Sequence, residues 1–580
     1  MAFNPHLVAT EWLAQFSSAL READARAFVD FLLPNGWLRD ILVFTWDIRA
    51  LEGRDKVLAY LTKDRFAAAR ITDVRLDETP DLAPRTCKVP VSRVPGVEFA
   101  FAFECHRGHG RAHVRLGPDV DDVHRASTVF TELVDLPGHE ELTALPPRDE
   151  TADANPHVII VGAAQTGLQV AARFKRMNIP TLVIDRNARV GDNWRERYPT
   201  LILNTTRRHH TFLYQPYPSG WPEFTPRDKV ADWLEHYASS QELTIWTNSE
   251  LKTRPAYNKA DRRWDVTVVR DGVEVQLRPA HIVLATGSLG RPIVPDFPGA
   301  EEFKGRVMHS SKFPGGALFS GQHTVVVGAG NSSIDVCVDL AEHDAASVTM
   351  VQRSTSCVMT REFVADQLRA VFRDDVPLDV VDFRFSSISL GLYKKMAIEH
   401  QDAAWEAHKE LHEKLRKAGV SCDLGPEGEG VSPFAMEKGG GYWMDKGGAS
   451  LIADGTIKVK SLVSIERFTK NGLLLSDGTE LPADLVVFAT GYSYIRETNV
   501  ELLGEDVINQ TEEVFGLDDE GEIEGSYRPC GYPGLWFATG DFANSRCLSK
   551  ALALQIKAIE LGAMPYTGRR QVQVGLEHRL

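Results

Sequence analysis

The 580-residue sequence predicts an α/β chain with two Rossmann-like units behind a smaller α+β domain. Three observations predict it. A strand–glycine–helix fingerprint, HVIIVGAAQTGLQVAARF, starts at His157, and a second, HTVVVGAGNSSIDVCVDL, starts at His323. From His157 onward, apolar strand-like runs alternate with amphipathic helix-like runs, as in βαβ units around a parallel sheet. Before about residue 150 the order differs, with a helix first and then short strands of alternating polarity.

Composition narrows the class. Hydrophobic residues make up 43% and charged residues 25% of the chain, as in soluble globular domains. The net charge of −15 argues against a nucleic-acid footprint, which needs clustered Lys and Arg. The seven cysteines (87, 105, 337, 357, 422, 530, 547) form no CxxC and no metal-ligand spacing. A reducing, cytoplasmic setting is therefore expected, and dithiol reductase chemistry is not. No apolar run reaches the roughly 18 residues of a membrane span, and MAFNPHLVATEWLAQF lacks the features of a signal peptide. The final His578-Arg579-Leu580 loosely resembles a peroxisomal address, which makes the peroxisome the alternative location.

The elements follow in order. In residues 1–150, LVATEWLAQFSSAL has helical periodicity, and 97–105, 111–117 and 127–136 alternate as strands. Together they suggest a small α+β cone. Asp40, Trp46 and Asp47 are candidates to line it, although packing and solvation explain them equally well. His106-x-x-His109-x-x-x-His113 is not expected to bind metal, because a continuous strand puts His106 on the opposite face from the other two. A Pro-rich linker, 145–156, follows. The expected units are then 157–320, 321–480 and 481–580, the third completing the first. A charged helical segment spans 390–418, a Gly-rich loop 437–448, and SKALALQIKAIEL closes as a helix.

The fingerprints carry the chemistry. Gly162 permits the tight turn after the strand, and Gly167 lets helix and strand pack closely. Gln165 and Thr166 open the helix, whose free N–H groups and dipole favour a pyrophosphate. Asp185 stands 18 residues after Gly167, at the end of TLVID, where a carboxylate binds a ribose hydroxyl; Arg186 follows it. Ala164 departs from the pattern, since its methyl group pushes on an approaching pyrophosphate. In the second fingerprint Gly328, Gly330, Asn331 and Ser332 keep the pattern, and Ser333 replaces the third glycine. The next strand ends in Gln352-Arg353 with no carboxylate. Arg353 can pair with a 2′-phosphate, which favours NADPH over NADH; the alternative is a surface arginine. Two Ala-Thr-Gly turns (Thr286, Thr490) and Gly540-Asp541 end further apolar strands.

Between the fingerprints lies Phe303-x-Gly305-x-x-x-His309-x-x-x-Phe313, and after the first comes GDNWRERYPTLILNTTRR. With the fingerprints, these resemble the class B flavoprotein monooxygenases, specifically the flavin-containing monooxygenases and plant YUCCA enzymes, over residues 157 to about 560. The resemblance implies FAD on the first fingerprint and NADPH on the second, with the NADPH domain inserted in the FAD domain. It implies that Asp192 and Trp194 belong to the flavin-proximal loop, that Gly540 and Asp541 approach the flavin, and that His309 holds the interdomain linker and orients the nicotinamide. Asn204 stands where Baeyer–Villiger members carry an aspartate. A neutral amide there can donate and accept without adding charge; the alternative is a turn residue. Phe313-Pro314 leans toward the Baeyer–Villiger version.

The implied reaction uses NADPH and O2 to form a C4a-hydroperoxyflavin and oxygenate a small organic substrate, at N or S given Asn204. The alternatives are Baeyer–Villiger oxidation of a ketone, oxidative decarboxylation of a 2-oxo acid, and a non-enzymatic flavin-bearing assembly or binding protein. The flavin carries the hard chemistry, which fits the lack of a triad or metal cluster. Arg207 and Arg208 are expected to hold FAD phosphate or face solvent, with an acidic substrate as the alternative. The N-terminal segment, most recognisably WLRDILVFTWDIRALEGRDKVLAYL (37–61), resembles NTF2-like or SnoaL-like domains. That implies a structural or assembly role, including a homodimer.

Overall fold

The computed structural model describes residues 4–121, 123–147, 150–252 and 254–566. The C-terminal tripeptide considered above lies outside them. The chain opens with the helix Pro5–Glu22, capped by the Asn4 side chain, which accepts from the N–H groups of His6 and Leu7. Its buried face, Ala9, Trp12, Leu13, Phe16, Ala19 and Leu20, recurs at three- and four-residue spacing. It packs on a seven-stranded sheet ordered Ile48–Glu52, Leu32–Ile41, His124–Leu133, Gly108–Pro118, Pro95–Cys105 and Thr72–Leu76, with Arg85–Lys88 also paired to Pro95–Cys105. Trp12 meets Phe99 at 5.9 Å and Phe16 meets Phe101 at 6.4 Å.

The sheet's other face is covered too. His113, Phe130 and the Arg111 guanidinium gather around Phe383, at 5.9, 5.6 and 3.9 Å, on the helix Leu378–Ser386. Of the two readings open for Asp40, Trp46 and Asp47, packing holds: all three are buried and partnered. Asp40 accepts from Val43 and Phe44 N–H and from the Tyr60 and Thr131 hydroxyls. Asp47 pairs with Arg528 at 2.8 Å, and the Arg107 guanidinium lies over the Trp46 ring at 4.4 Å. Arg528 is fully buried and also pairs with Asp518 at 2.9 Å, while Arg39 grips Glu522 through two 2.6 Å bonds. These ion pairs dock the N-terminal sheet onto residues 518–528. Of the three histidines, His109 is bound to Asp135 and His113 is buried beside Phe383. Among the described residues no metal-ligand cluster forms.

The first nucleotide unit is a parallel sheet ordered Ile245–Trp246, Thr181–Ile184, Val158–Val161, His281–Leu284 and Leu535–Phe537. Its central strands are buried on both faces, as a helix-covered parallel sheet requires. The fingerprint helix Gln165–Arg176 packs against the closing helix Phe542–Glu560. The second unit is ordered Arg306–His309, Leu485–Phe488, His323–Val327, Ser347–Gln352 and Ile457–Ser461. It therefore reaches beyond both ends of the expected 321–480 segment, because its edge and inner strands come from 306–309 and 485–488. Between its fourth and fifth strands runs an excursion carrying a small parallel sheet, Cys422–Asp423, Ser356–Thr360 and Tyr442–Asp445. The expected helix 390–418 is two helices, Leu390–Glu399 and Gln401–Lys417, and the expected Gly-rich loop contains the strand Tyr442–Asp445. Two linkers join the units, and they pair with each other: Leu289–Pro292 runs antiparallel to Tyr492–Tyr494. Among the described residues no helix is long and apolar enough to cross a membrane.

Candidate cofactor sites

The two fingerprints are built alike, down to the atom that each first glycine faces. Gly162 has φ +110°, and a Cβ there would lie 2.6 Å from the Ala285 carbonyl oxygen. Gly328 has φ +125°, and its Cβ would lie 2.3 Å from the Ala489 carbonyl oxygen. Both alanines begin the Ala-Thr-Gly turns, so each turn closes the back of one glycine loop. The third positions match as well. A Cβ at Gly167 would sit 1.9 Å from the Gly162 carbonyl oxygen. Where the second fingerprint carries Ser333 instead, its buried hydroxyl donates to the Gly328 carbonyl at 2.5 Å. Ser333 thus fastens the loop from within.

Neither fingerprint helix has a side-chain cap. Ala164 and Gly330 hold the N-cap positions with no side-chain bond to the first turn, so the leading N–H groups remain available to an anion. Gly162, Ala164 and Gln165 are half-exposed, as are Gly328, Gly330, Asn331 and Ser332. The Thr166 hydroxyl is elsewhere, bound to Ser545 at 2.9 Å, and Asn331 accepts from the Met444 N–H at 3.0 Å. Asp185 accepts from Ala163 N–H at 2.6 Å and Asn187 N–H at 2.8 Å. That places its carboxylate on the lip of the first loop, with lone pairs left for a ribose hydroxyl. Arg186 and Thr286 are exposed. Arg353 is exposed at the end of Ser347–Gln352 and makes no bond to the described residues, whereas the neighbouring Gln352 is buried and tied to Ser356 and Ser421.

The loop after the first unit closes over it. Asp192 accepts from Arg189 N–H at 3.0 Å and pairs with Arg195 at 3.1 Å. Trp194 donates to Gln165 at 3.4 Å and lies 6.5 Å from the Phe542 ring. Further on, buried polar atoms accumulate without partners: Arg197 Nε, Thr200 Oγ1, Asn204 Oδ1, Thr206 Oγ1, Arg208 Nε and His209 Nδ1. Native proteins leave few such atoms unpaired. Their concentration within 197–209 fits a loop that lines a bound group, and the residues present suit a dinucleotide in both cradles. Arg207 holds the Ser219 and Trp221 carbonyls and Arg208 the Val376 carbonyl.

Gly540 has φ +121°, and Asp541 caps the helix Phe542–Glu560 by accepting from Asn544 N–H at 2.8 Å. Burial alone would raise the Asp541 carboxyl, but His209, 3.3 Å away, and the Asn544 N–H hold it below the usual range. His309 is committed at both nitrogens. Nδ1 accepts from the Ser311 N–H at 3.1 Å, and Nε2–H donates to the Gly491 carbonyl at 3.0 Å. Burial lowers its pKa, so the ring stays neutral and fastens the edge strand of the second unit to the turn that leads into the Tyr492–Tyr494 linker. Thr490 likewise donates to the Ile293 carbonyl at 2.5 Å. Sequence reasoning missed two links. His209 reaches Asp541 from 332 positions away, and Tyr198 donates to Asp335 on the second fingerprint helix at 2.9 Å, where Lys446 also pairs at 2.9 Å. Only the adjacency of His209 to Asn204 hinted at the first.

Known proteins share this arrangement. The profile of the flavin-binding monooxygenase-like family matches residues 158–514. The indole-3-pyruvate monooxygenase YUCCA1 of Oryza sativa subsp. japonica is 29% identical over 344 residues, spanning 58% of this chain and 77% of its own. Two solved structures share the fold at a TM-score of 0.50 and 17% identity. OTEMO, in complex with FAD and NADP, is matched over 70% of this chain and 85% of its own. The polycyclic ketone monooxygenase of the thermophilic fungus Thermothelomyces thermophila is matched over 72% and 77%. With its family profile covering more than half of its length and both glycine cradles intact, the chain belongs to the flavin-binding monooxygenase-like family.

Proposed function

We propose that the protein oxygenates a small organic substrate at nitrogen or sulfur, consuming NADPH and O2 and releasing NADP and water. The observation that carries this reading is the pair of uncapped fingerprint helices, each backed by an Ala-Thr-Gly turn and joined through paired linkers. The Gly162–Gln165 loop, Asp185 and the Trp194 wall would hold FAD. The Gly328–Ser332 loop would hold NADPH, with Arg353 on the 2′-phosphate. Bound reduced flavin would activate O2, which itself provides the oxygen atom transferred.

The chain's own residues supply position and protection. Asn204 offers a neutral amide whose Oδ1 is buried and unpaired, so it can accept a hydrogen bond from a bound group without adding a negative charge. His309, neutral and bonded at both ends, anchors the second unit to the turn before the Tyr492–Tyr494 linker rather than moving a proton. The flavin-proximal loop excludes water from the first cradle. A second reading, oxidative decarboxylation of a 2-oxo acid, is favoured by the relative named for indole-3-pyruvate. The test is a panel of amines, sulfides, ketones and 2-oxo acids given to FAD-loaded protein, with NADPH use compared against hydrogen peroxide release. Coupled turnover of an amine or sulfide supports the first reading. Coupled turnover of 2-oxo acids alone supports the second, and peroxide release with every compound contradicts both.

A further inference from the structure

We propose that the seam between the N-terminal sheet and the closing helix is a binding site for a small organic acid with an apolar body. A cavity of about 820 Å³ opens there, within the usual size of a small-molecule pocket. Four parts of the chain wall it: Ile41, Glu132 and Leu133 from the N-terminal sheet, the 208–216 segment, the 374–386 segment of the excursion, and Arg546 to Ala551 of the closing helix, with Glu141 and Arg173 also reaching it. No residue of either glycine loop lines it. Two of these parts, the N-terminal sheet and the closing helix, lie outside residues 158–514, the span of the family profile. The cavity therefore lies outside both glycine loops, bordering the first unit through Arg173 and Arg208, and the docked N-terminal sheet supplies one of its walls.

Its charges select the ligand. The inner ionic groups mostly neutralise one another. Arg546 holds Asp382 through bonds of 2.6 and 2.7 Å, Arg111 holds Glu132, and Arg173 holds Glu141. Two cations are the least satisfied. Lys550 Nζ makes no hydrogen bond among the described residues, and its nearest carboxylate, Glu141, is 3.7 Å away and already taken by Arg173 and the Tyr214 hydroxyl. Burial pushes the Lys550 amine down. Arg208 gives one nitrogen to the Val376 carbonyl and leaves Nε buried without a partner. The aspartates 374, 375 and 379 stand exposed at the rim, the first two beside Arg207 and Arg373. A half-buried cation whose one carboxylate neighbour is shared, or whose Nε is buried without a partner, is incompletely neutralised, and a ligand carboxylate would complete it. Phe212, Leu213, Phe383 and Leu548 provide an apolar surface for the rest of the molecule.

The test is calorimetric binding of phenylacetate and phenylpyruvate to the full-length protein, with phenylacetamide as the neutral control. Both acids should bind at least tenfold more tightly than the amide. Lys550→Met should remove that preference and leave amide binding unchanged, and Lys550→Gln should do the same if the first variant folds poorly. Equal binding of acid and amide to the parent protein overturns the proposal, as does an acid preference that survives in a folded Lys550 variant. The readout needs neither flavin nor turnover, so it stands whatever the oxygenation assays return.

Discussion

A methyl group added at Gly328 and one added at Gly330 probe the second cradle by opposite routes. At Gly328 the backbone has φ +125°, and the new Cβ would meet the Ala489 carbonyl oxygen at 2.3 Å. That oxygen belongs to backbone and cannot swing away. Left-handed strain costs about 1–3 kcal/mol and forced overpacking about 1–3 kcal/mol more, so Gly328→Ala should lose roughly 2–6 kcal/mol of stability. At Gly330 φ is −107°, and the nearest atom to a new Cβ is the Tyr442 carbonyl oxygen at 3.5 Å, an ordinary contact. The first fingerprint already carries Ala164 at the equivalent N-cap, with φ −86° and ψ −173° against −107° and −172° at Gly330. A poorer N-cap costs up to about 1 kcal/mol, and a stiffer unfolded chain returns about 0.4–1 kcal/mol. Gly330→Ala should therefore fold like the parent yet raise the KM for NADPH, because its methyl occupies the approach to the pyrophosphate. Thermal unfolding and NADPH-dependent flavin reduction measure the two effects. If Gly330→Ala unfolds as early as Gly328→Ala, or leaves the NADPH KM unchanged, the placement of the nucleotide on this loop is wrong.

Arg353→Ala removes an exposed cation worth about 1–2 kcal/mol to a 2′-phosphate once solvent screening is allowed for. The KM for NADPH should rise roughly 5- to 30-fold at RT of about 0.6 kcal/mol, with NADH unaffected; equal changes for both nucleotides would remove its assigned role. Asn204→Ala breaks no hydrogen bond at Oδ1, so the unfolding temperature should hold while hydrogen peroxide released per NADPH increases, and an unchanged ratio contradicts the role given to the amide. Glu98 predicts acid sensitivity of the docked N-terminal sheet. Burial alone would raise its carboxyl, but Arg115, His113, Arg384 and Arg85 bring it from 4.5 to about 2. A depressed carboxyl stabilises the fold fully above its unfolded pKa and loses that contribution as pH falls through the folded one. Up to about 3 kcal/mol should disappear between pH 4.5 and 2, and Glu98→Gln should flatten the pH dependence of unfolding in that window; an unaltered slope refutes the assignment.

The glycine cradles were legible because their geometry is local. Gly162 and Gly167 face atoms of the same βα turn or its adjoining strand, so a short pattern encodes the contact. His309 stood out through its motif, but the Gly491 carbonyl that ties it down lies 182 positions away and could not be read locally. Long-range pairing was not legible. The sheet of the second unit recruits 306–309 and 485–488, and nothing in either tetrapeptide says which sheet it will join. For Asp40 and Asp47 the sequence left cone lining and packing equally open. The four donors that satisfy Asp40, and Arg528, which neutralises Asp47 from 481 positions away, are invisible to a local reading. The strand Tyr442–Asp445 hid among glycines because its partner, Ser356–Thr360, lies more than eighty residues upstream.

The central claim is that the two cradles hold FAD and NADPH in one working unit. Anaerobic addition of NADPH to FAD-reconstituted protein tests it most directly. The account predicts a yellow protein whose flavin absorbance bleaches with NADPH, more slowly with NADH, and returns on admitting air. A protein that cannot retain FAD, or whose bound flavin NADPH leaves oxidised, would contradict it.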